Sequence, residues 1–392
     1  MPSGIGLPHF AFFTLLFLAA ARLADAADPL SSHAENPHRT HRAYASLYVF
    51  DIRTGTVLLE DSAEDQRAPA SLTKMMTLLL LVEAVERGEA AWADTVLVPW
   101  QSGMIGGSGV GLQNHERLSL EDTAKGLIIS SGNDAAIAIA EHLAHSEGIW
   151  VQRMNRRARA LGMRSTWYKT SHGLDGWRTS SVTTAKDQAQ LVRELLRHPR
   201  ILDWTSSRSM VIRGGQTINN TNKLLGSFEG LDGIKTGFTG KAGFCLASTA
   251  MRDGFRVGCI LLGGPSSADR FNESRWALTE AFLRYRLDVP VRAGETVGGS
   301  IPISDGDPAT VEAIATEDLP LVRSRADSTA PRVAVIPLSD LRAPLSQGVV
   351  VARIEVLEGD RLLTRGEAVS AVSVRKVGWW ERFLGRFRKS PS

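Results

Sequence analysis

"PASLTKMMTLLLLVEAVER", residues 69–87, decides how the first half of this chain folds. From Ser71 onward it is apolar on nearly every helical face, which predicts a helix buried at a domain centre rather than lying on its surface. Gly88 follows as a natural stop. Ser71 and Lys74 stand three apart and share one helical face. On the plain reading the serine caps the helix and the lysine is a surface charge. On the chemical reading the serine attacks a substrate and the lysine takes its proton. An ammonium cannot accept a proton, so the second reading requires Lys74 to be neutral, through burial or a second cation nearby.

The surrounding segments say what that helix is packed into. "ASLYVFDIRTGTVLLE", residues 45–60, reads as two strands about a turn at Arg53, Thr54 and Gly55. A glycine-rich loop, "GMIGGSGVG", precedes Ser119, which with Asp122 three residues on marks a helix start; Leu120, Ala124, Leu127 and Ile128 keep helical spacing. Helices are predicted over 135–145 and 149–161, the latter closed by Gly162. "FEGLDGIKTGFTGKAGFCLASTAMRDGFRVGCILLGG", residues 228–264, reads as β-structure with a hairpin turn at Asp253-Gly254, and "FNESRWALTEAFLRYR" as the closing helix. Strands, then helices, then strands and a helix describe an α/β (α+β) sandwich on a central antiparallel sheet, not a βαβ repeat. Residues 287–375 change to short alternating runs rich in Val, Pro, Gly and Asp, a small all-β domain with no cluster of chemical groups.

The ends carry addresses. Across 1–26, a 12-residue apolar run too short to span a bilayer ends in Ala24-Asp25-Ala26, a signal-peptidase pattern. The chain is therefore expected to be secreted across the inner membrane. The net charge of +3 is uneven: from Arg375 onward six basic residues and one acid give +5, which leaves the mature body about −2. The positive charge belongs to one end and gives no argument for nucleic acid. Over 377–389, "VGWWERFLGRFRK", large apolar residues fill one helical arc and Arg and Lys the other, a short helix suited to an anionic membrane surface. Cys245 and Cys259 read as two buried thiols, a bond being open to them only if their strands bring them together.

Two further segments complete the chemistry. "SSGNDAA" offers Ser131, Gly132 and Asn133 at a helix junction. "DGIKTGFTG" offers Lys235, Thr236 and Gly237 on a strand whose glycines let a substrate backbone approach. A lysine there can hold an anion and lower the pKa of Lys74. In this order S-x-x-K, S-x-N and K-T-G resemble the penicillin-recognising serine enzymes. With "HGLD" (172–175) and "RFNES" (270–274), the segments from 43 to 285 resemble the D-alanyl-D-alanine carboxypeptidases, the low-molecular-mass penicillin-binding proteins.

That resemblance implies a β-lactamase/transpeptidase-like catalytic domain over 43–286, the β-rich domain over 287–375 and the amphipathic tail helix. It implies a serine D-Ala-D-Ala carboxypeptidase acting on peptidoglycan stem peptides, inhibited covalently by β-lactam antibiotics, with no cofactor and no metal. The enzyme would be periplasmic, peripheral on the outer face of the cytoplasmic membrane. Ser71 would attack the bond between the terminal D-alanines, Lys74 would take its proton, and Ser131 would pass a proton to the leaving amine. Asn133 would bind a substrate amide and steady Lys74. Lys235, Thr236 and Gly237 would receive the terminal carboxylate, with Arg270 adding charge, and the N–H groups of Ser71 and Phe238 would form the oxyanion hole. His172 and Asp175 would brace the site. Phe238 departs from the family, where His often follows K-T-G.

A serine β-lactamase is the nearest rival, set against the β-domain and basic tail, which a diffusing hydrolase would not need. A D,D-endopeptidase shares the same motifs. A catalytically silent wall-binding protein is disfavoured because all three motifs are intact. No H-E-x-x-H occurs among the 9 histidines, which excludes that class of metallopeptidase.

Overall fold

The computed structural model describes residues 42–176, 180–378 and 380; the expected signal segment and nearly all of the expected tail helix lie outside these. The chain opens with β1 (Ser46–Asp51) and β2 (Val57–Asp61), joined through the predicted turn. β1 is buried on both faces, so alternate residues serve two layers. Tyr48 and Phe50 pack with the helices, while Leu47 and Val49 face the other way.

A 3₁₀ turn at Ala70–Leu72 leads into α1 (Thr73–Glu86), whose residues from Thr73 to Val82 are all buried. Around it run β3 (Thr95–Leu97), α2 (Trp100–Met104), β4 (Arg117–Ser119), α3 (Leu120–Ile128), α4 (Asn133–Ala144) and α5 (Glu147–Ala160). The start of α3 follows its sequence signal, since Ser119 accepts from the N–H of Asp122. Next come α6 (Ala185–Leu195), α7 (Pro199–Thr205) and a hairpin of β5 (Ser209–Ile212) and β6 (Gln216–Asn219), none of which had been expected.

β7 (Leu231–Thr239), β8 (Gly243–Arg252) and β9 (Phe255–Gly264) form an antiparallel meander, with Asp253 and Gly254 at positive φ in the predicted turn. The sheet order is β2-β1-β9-β8-β7, which puts β7 at an edge. α8 (Ser267–Arg284) covers the face opposite α1. The central helix thus lies among helices on one side of the sheet, and the turn that precedes it packs on the edge strand that carries Lys235, Thr236 and Gly237. Cys245 and Cys259 are free and buried, with Cys259 opposite Ser248, three positions along β8 from Cys245.

The remainder is all β, as expected. β10 (Tyr285–Asp288) pairs with β14 (Leu321–Ser324), and β12 (Gly306–Asp307) with β18 (Arg375–Lys376). A five-stranded sheet runs β11-β13-β17-β16-β15, from β11 (Thr296–Pro302), β13 (Thr310–Ala315), β15 (Arg332–Pro337), β16 (Val350–Glu358) and β17 (Arg361–Ser370). It encloses its own small core. Among the described residues no helix is long and apolar enough to cross a membrane.

Candidate active site

Ser71 does not begin the helix. It sits in the 3₁₀ turn one step earlier, behind Ala70, whose φ of 49° puts a non-glycine residue in the left-handed region. Such a residue costs roughly 1–3 kcal/mol and persists only where its surroundings enforce it. Here the enforcement comes from two glycines. A Cβ on Gly237 of β7 would stand 3.1 Å from the Ser71 nitrogen, and one on Gly173 would stand 1.9 Å from the Ala70 carbonyl oxygen. The serine is therefore held between the edge strand and the 171–175 segment, with its N–H beside β7.

Lys74 is fully buried on the first turn of α1. Its Nζ donates to Ser71 Oγ at 2.9 Å, to Asn133 Oδ1 at 2.6 Å and to the His172 carbonyl at 2.8 Å. Burial pushes its pKa down from 10.5 to about 7, against the opposing pull of Asp134. The sequence reading left this depression to burial or to a second cation, Lys235. The structure assigns it first to desolvation, because the amine sits in the core at the root of the longest buried helix face. Lys235 is also fully buried and held far below its ordinary pKa, by burial first and then by the charges of Lys74 and Arg270. Its Nζ donates to the Thr236 carbonyl at 2.8 Å.

Ser131, buried at φ 63°, precedes α4, whose first two residues tie down the glycine-rich loop. Asn133 Nδ2 donates to the Gly106 carbonyl at 2.7 Å, and Asp134 Oδ2 accepts from the N–H groups of Val110 and Leu112. A Cβ at Gly107 would come within 2.8 Å of Asn133 and one at Gly109 within 2.9 Å of Asp134, so the glycines are what lets the loop close down. Thr77, one turn beyond Lys74, donates to the Ser171 carbonyl at 2.7 Å, and Glu147 accepts from both the N–H and the hydroxyl of Ser171. His172 itself is kept neutral: burial lowers its pKa to about 4, in spite of Glu147, and its Nδ1 accepts from Leu174.

Ser71, Lys74 and Asn133 are directly connected, and β7 brings Gly237 against the same turn. Thr236 shares a hydrogen bond of 2.7 Å with Thr221. Arg270 is buried and donates to the carbonyls of Gly237 and Cys245, so its visible contacts fix β7 and β8 from behind. The Phe238 ring is 53% exposed and stacks on Phe244 at 4.2 Å. Asp175 is half-buried, at the end of the segment that carries His172. Three partners had no reading from sequence: the His172 carbonyl, Asp134 and Thr77. Gly173, which only a glycine could occupy, was the one signal for the first.

A hydroxyl beside a buried amine of near-neutral pKa, with a backbone N–H and a lysine-bearing edge strand alongside, defines a serine acyl hydrolase. The family follows from comparison. The sequence model of the D-alanyl-D-alanine carboxypeptidases matches residues 32–266, and that of the penicillin-binding protein 5 C-terminal domain matches 285–376. The chain belongs to the D-alanyl-D-alanine carboxypeptidase family. It is 30% identical to D-alanyl-D-alanine carboxypeptidase DacA of Escherichia coli (strain K12), across 79% of this chain and 78% of that protein. It is 28% identical to DacF of Bacillus subtilis (strain 168), across 86% and 87%. Among solved structures, ampicillin-bound penicillin-binding protein D2 of Listeria monocytogenes is 32% identical with a TM-score of 0.58, covering 62% of this chain and 99% of that one. The fold is that of the low-molecular-mass penicillin-binding proteins.

Proposed function

We propose that this chain removes the terminal D-alanine from peptidoglycan stem peptides through an ester on Ser71. The observation that carries this reading is the 2.9 Å contact between Ser71 Oγ and the buried Lys74 amine of near-neutral pKa. Neutral Lys74 takes the Ser71 proton as Oγ bonds to the carbonyl carbon. The negative charge that develops on oxygen meets the N–H groups of Ser71 and Phe238; losing one such donor typically costs roughly 3–4 kcal/mol of transition-state stabilisation. The C–N bond then breaks, Ser131 passes a proton to the departing amine, and water hydrolyses the ester. Asn133 orients Lys74 and takes a substrate amide, while Lys235, Thr236 and Gly237 receive the terminal carboxylate. Arg270 positions the strand that bears them.

A β-lactam presents the same carbonyl, but its leaving nitrogen stays tethered after ring opening, so the ester is retained. Mass spectrometry after incubation with penicillin should find one adduct, on Ser71, lasting minutes. Rapid multiple-turnover penicillin hydrolysis would favour the β-lactamase reading instead, and D-Ala release surviving Ser71→Ala would sink the mechanism. The 1–26 segment and the 377–389 tail support export and attachment to the outer face of the cytoplasmic membrane. Loss of vesicle binding on deleting 377–392 tests the attachment.

A further inference from the structure

We infer that the surface formed by the end of α5 and the segment after it holds a neighbouring stem peptide of the same peptidoglycan polymer while Ser71 works on another. The inference rests on the proposed function. Residues 152–169 contain six cations and no acid. Two of the six are used internally: Arg153 donates to the Leu143 carbonyl, and Arg157 bridges Glu83 and Glu194 at 2.6 Å each. Arg156, Arg159, Arg164 and Lys169 are exposed and stand in no ion pair with a described residue.

The negative end of α5 accounts for arginines in its last turn. It does not account for Arg164 and Lys169, which lie beyond the helix. Trp167 links the two groups. It is 40% exposed, with the Arg159 guanidinium 5.1 Å and the Lys169 ammonium 5.7 Å from its ring centroid. Contacts of this kind hold cations in place at a surface. The adjoining turn does not cancel the charge, because Glu64 is paired with Lys186 and Asp65 with Arg67.

The patch is joined to the active site through the backbone. Trp167 and Val182 exchange hydrogen bonds, and the Lys169 N–H donates to Ser181 Oγ, so the two strands meet at the neck of the segment that carries His172. Lys169 lies three positions before His172, whose carbonyl holds Lys74, and chain geometry keeps their Cα atoms within about 11 Å. Each uncut stem peptide ends in a carboxylate, so a polymer offers a row of anions where a free peptide offers one terminus. A cationic surface this near the nucleophile raises the local concentration of the polymer and leaves the chemistry on a free peptide alone.

The test compares D-Ala release from purified sacculi and from a soluble stem pentapeptide. A variant carrying Arg156→Glu, Arg159→Glu and Lys169→Glu should lose roughly tenfold on sacculi, keep its kcat/KM on the soluble peptide, and bind sacculi less in a Ser71→Ala background. Arg156→Gln with Arg164→Gln, which spares the Trp167 contacts, should show a smaller loss of the same kind. Added salt should slow the unsubstituted enzyme on sacculi, and should not slow the charge-reversed one, whose repulsion it screens. Unaltered release from sacculi overturns the inference. So does an equal loss on both substrates, which places the effect in the catalytic centre, and so does a loss confined to binding of anionic vesicles. If the unsubstituted enzyme releases nothing from the soluble peptide, it is the proposed function that fails.

Discussion

Gly173 stands so close to Ala70 that a methyl group on it would reach within 1.9 Å of the Ala70 carbonyl oxygen. Gly173 also has φ 87°, a conformation that other L-residues rarely adopt. Gly173→Ala must therefore displace either the turn that presents Ser71 or the neighbouring His172 carbonyl that holds Lys74. We expect acylation by a fluorescent penicillin to slow at least about tenfold, with about 1–3 kcal/mol lost in stability. An unchanged acylation rate would show that the contact is dispensable.

The amine of Lys74 must be neutral to accept a proton, and its pKa is lowered to about 7. Acylation should therefore rise with pH through a limb centred near 7. The same shift affects stability. The folded state sheds this proton near pH 7 and the unfolded state near 10.5, so the unfolded chain binds more protons in between. Lys74 thus makes stability rise with pH across that window. Lys74→Arg should abolish acylation, since guanidinium stays charged. A flat pH–rate profile between 5 and 9 would contradict the assignment.

Asp134 raises the Lys74 pKa and also accepts from two N–H groups of the glycine-rich loop. Neutralising it should act on both. In Asp134→Asn the acid limb of the acylation profile is expected to move to lower pH, while the maximal rate falls as the loop loosens. Movement of the limb to higher pH would reverse the sign argued here.

Most of what the chemistry needs was legible as spacing. Ser71 and Lys74 at i, i+3, Asn133 at a helix start and Lys235-Thr236-Gly237 on a strand are side-chain patterns, and the structure joins the first three directly. The apolar run from Met75 to Val82 announced a buried helix, and burial proved the main cause of the Lys74 shift. What stayed hidden was carried by backbone. The left-handed Ala70 looks like a helix former in sequence, and the His172 carbonyl has no side-chain signature. Helix α6 has a readable start, Thr184 accepting from the Asp187 N–H, but it bears none of the motif residues.

Phe238 offers a fourth test. Its ring stacks on Phe244 and cannot titrate. Phe238→His should add a second ionisation to the acylation profile, while the lost stacking costs about 0.5–1.5 kcal/mol. An identical profile in the variant would show that this side chain has no say in the pH response.

Lys235 sits inside the protein, donating to its own strand, and both charges that act on it, Lys74 and Arg270, are positive. Burial and these two charges therefore disfavour the charged form of this lysine, and a carboxylate received there, as proposed, would supply a counter-charge that favours it. Ligand capture would then favour proton uptake at this amine. The heat of binding of a D-Ala-terminated peptide to Ser71→Ala enzyme would then depend on the ionisation enthalpy of the buffer. A peptide ending in an amide would bring no such counter-charge, and the site would read the missing anion before any bond was broken.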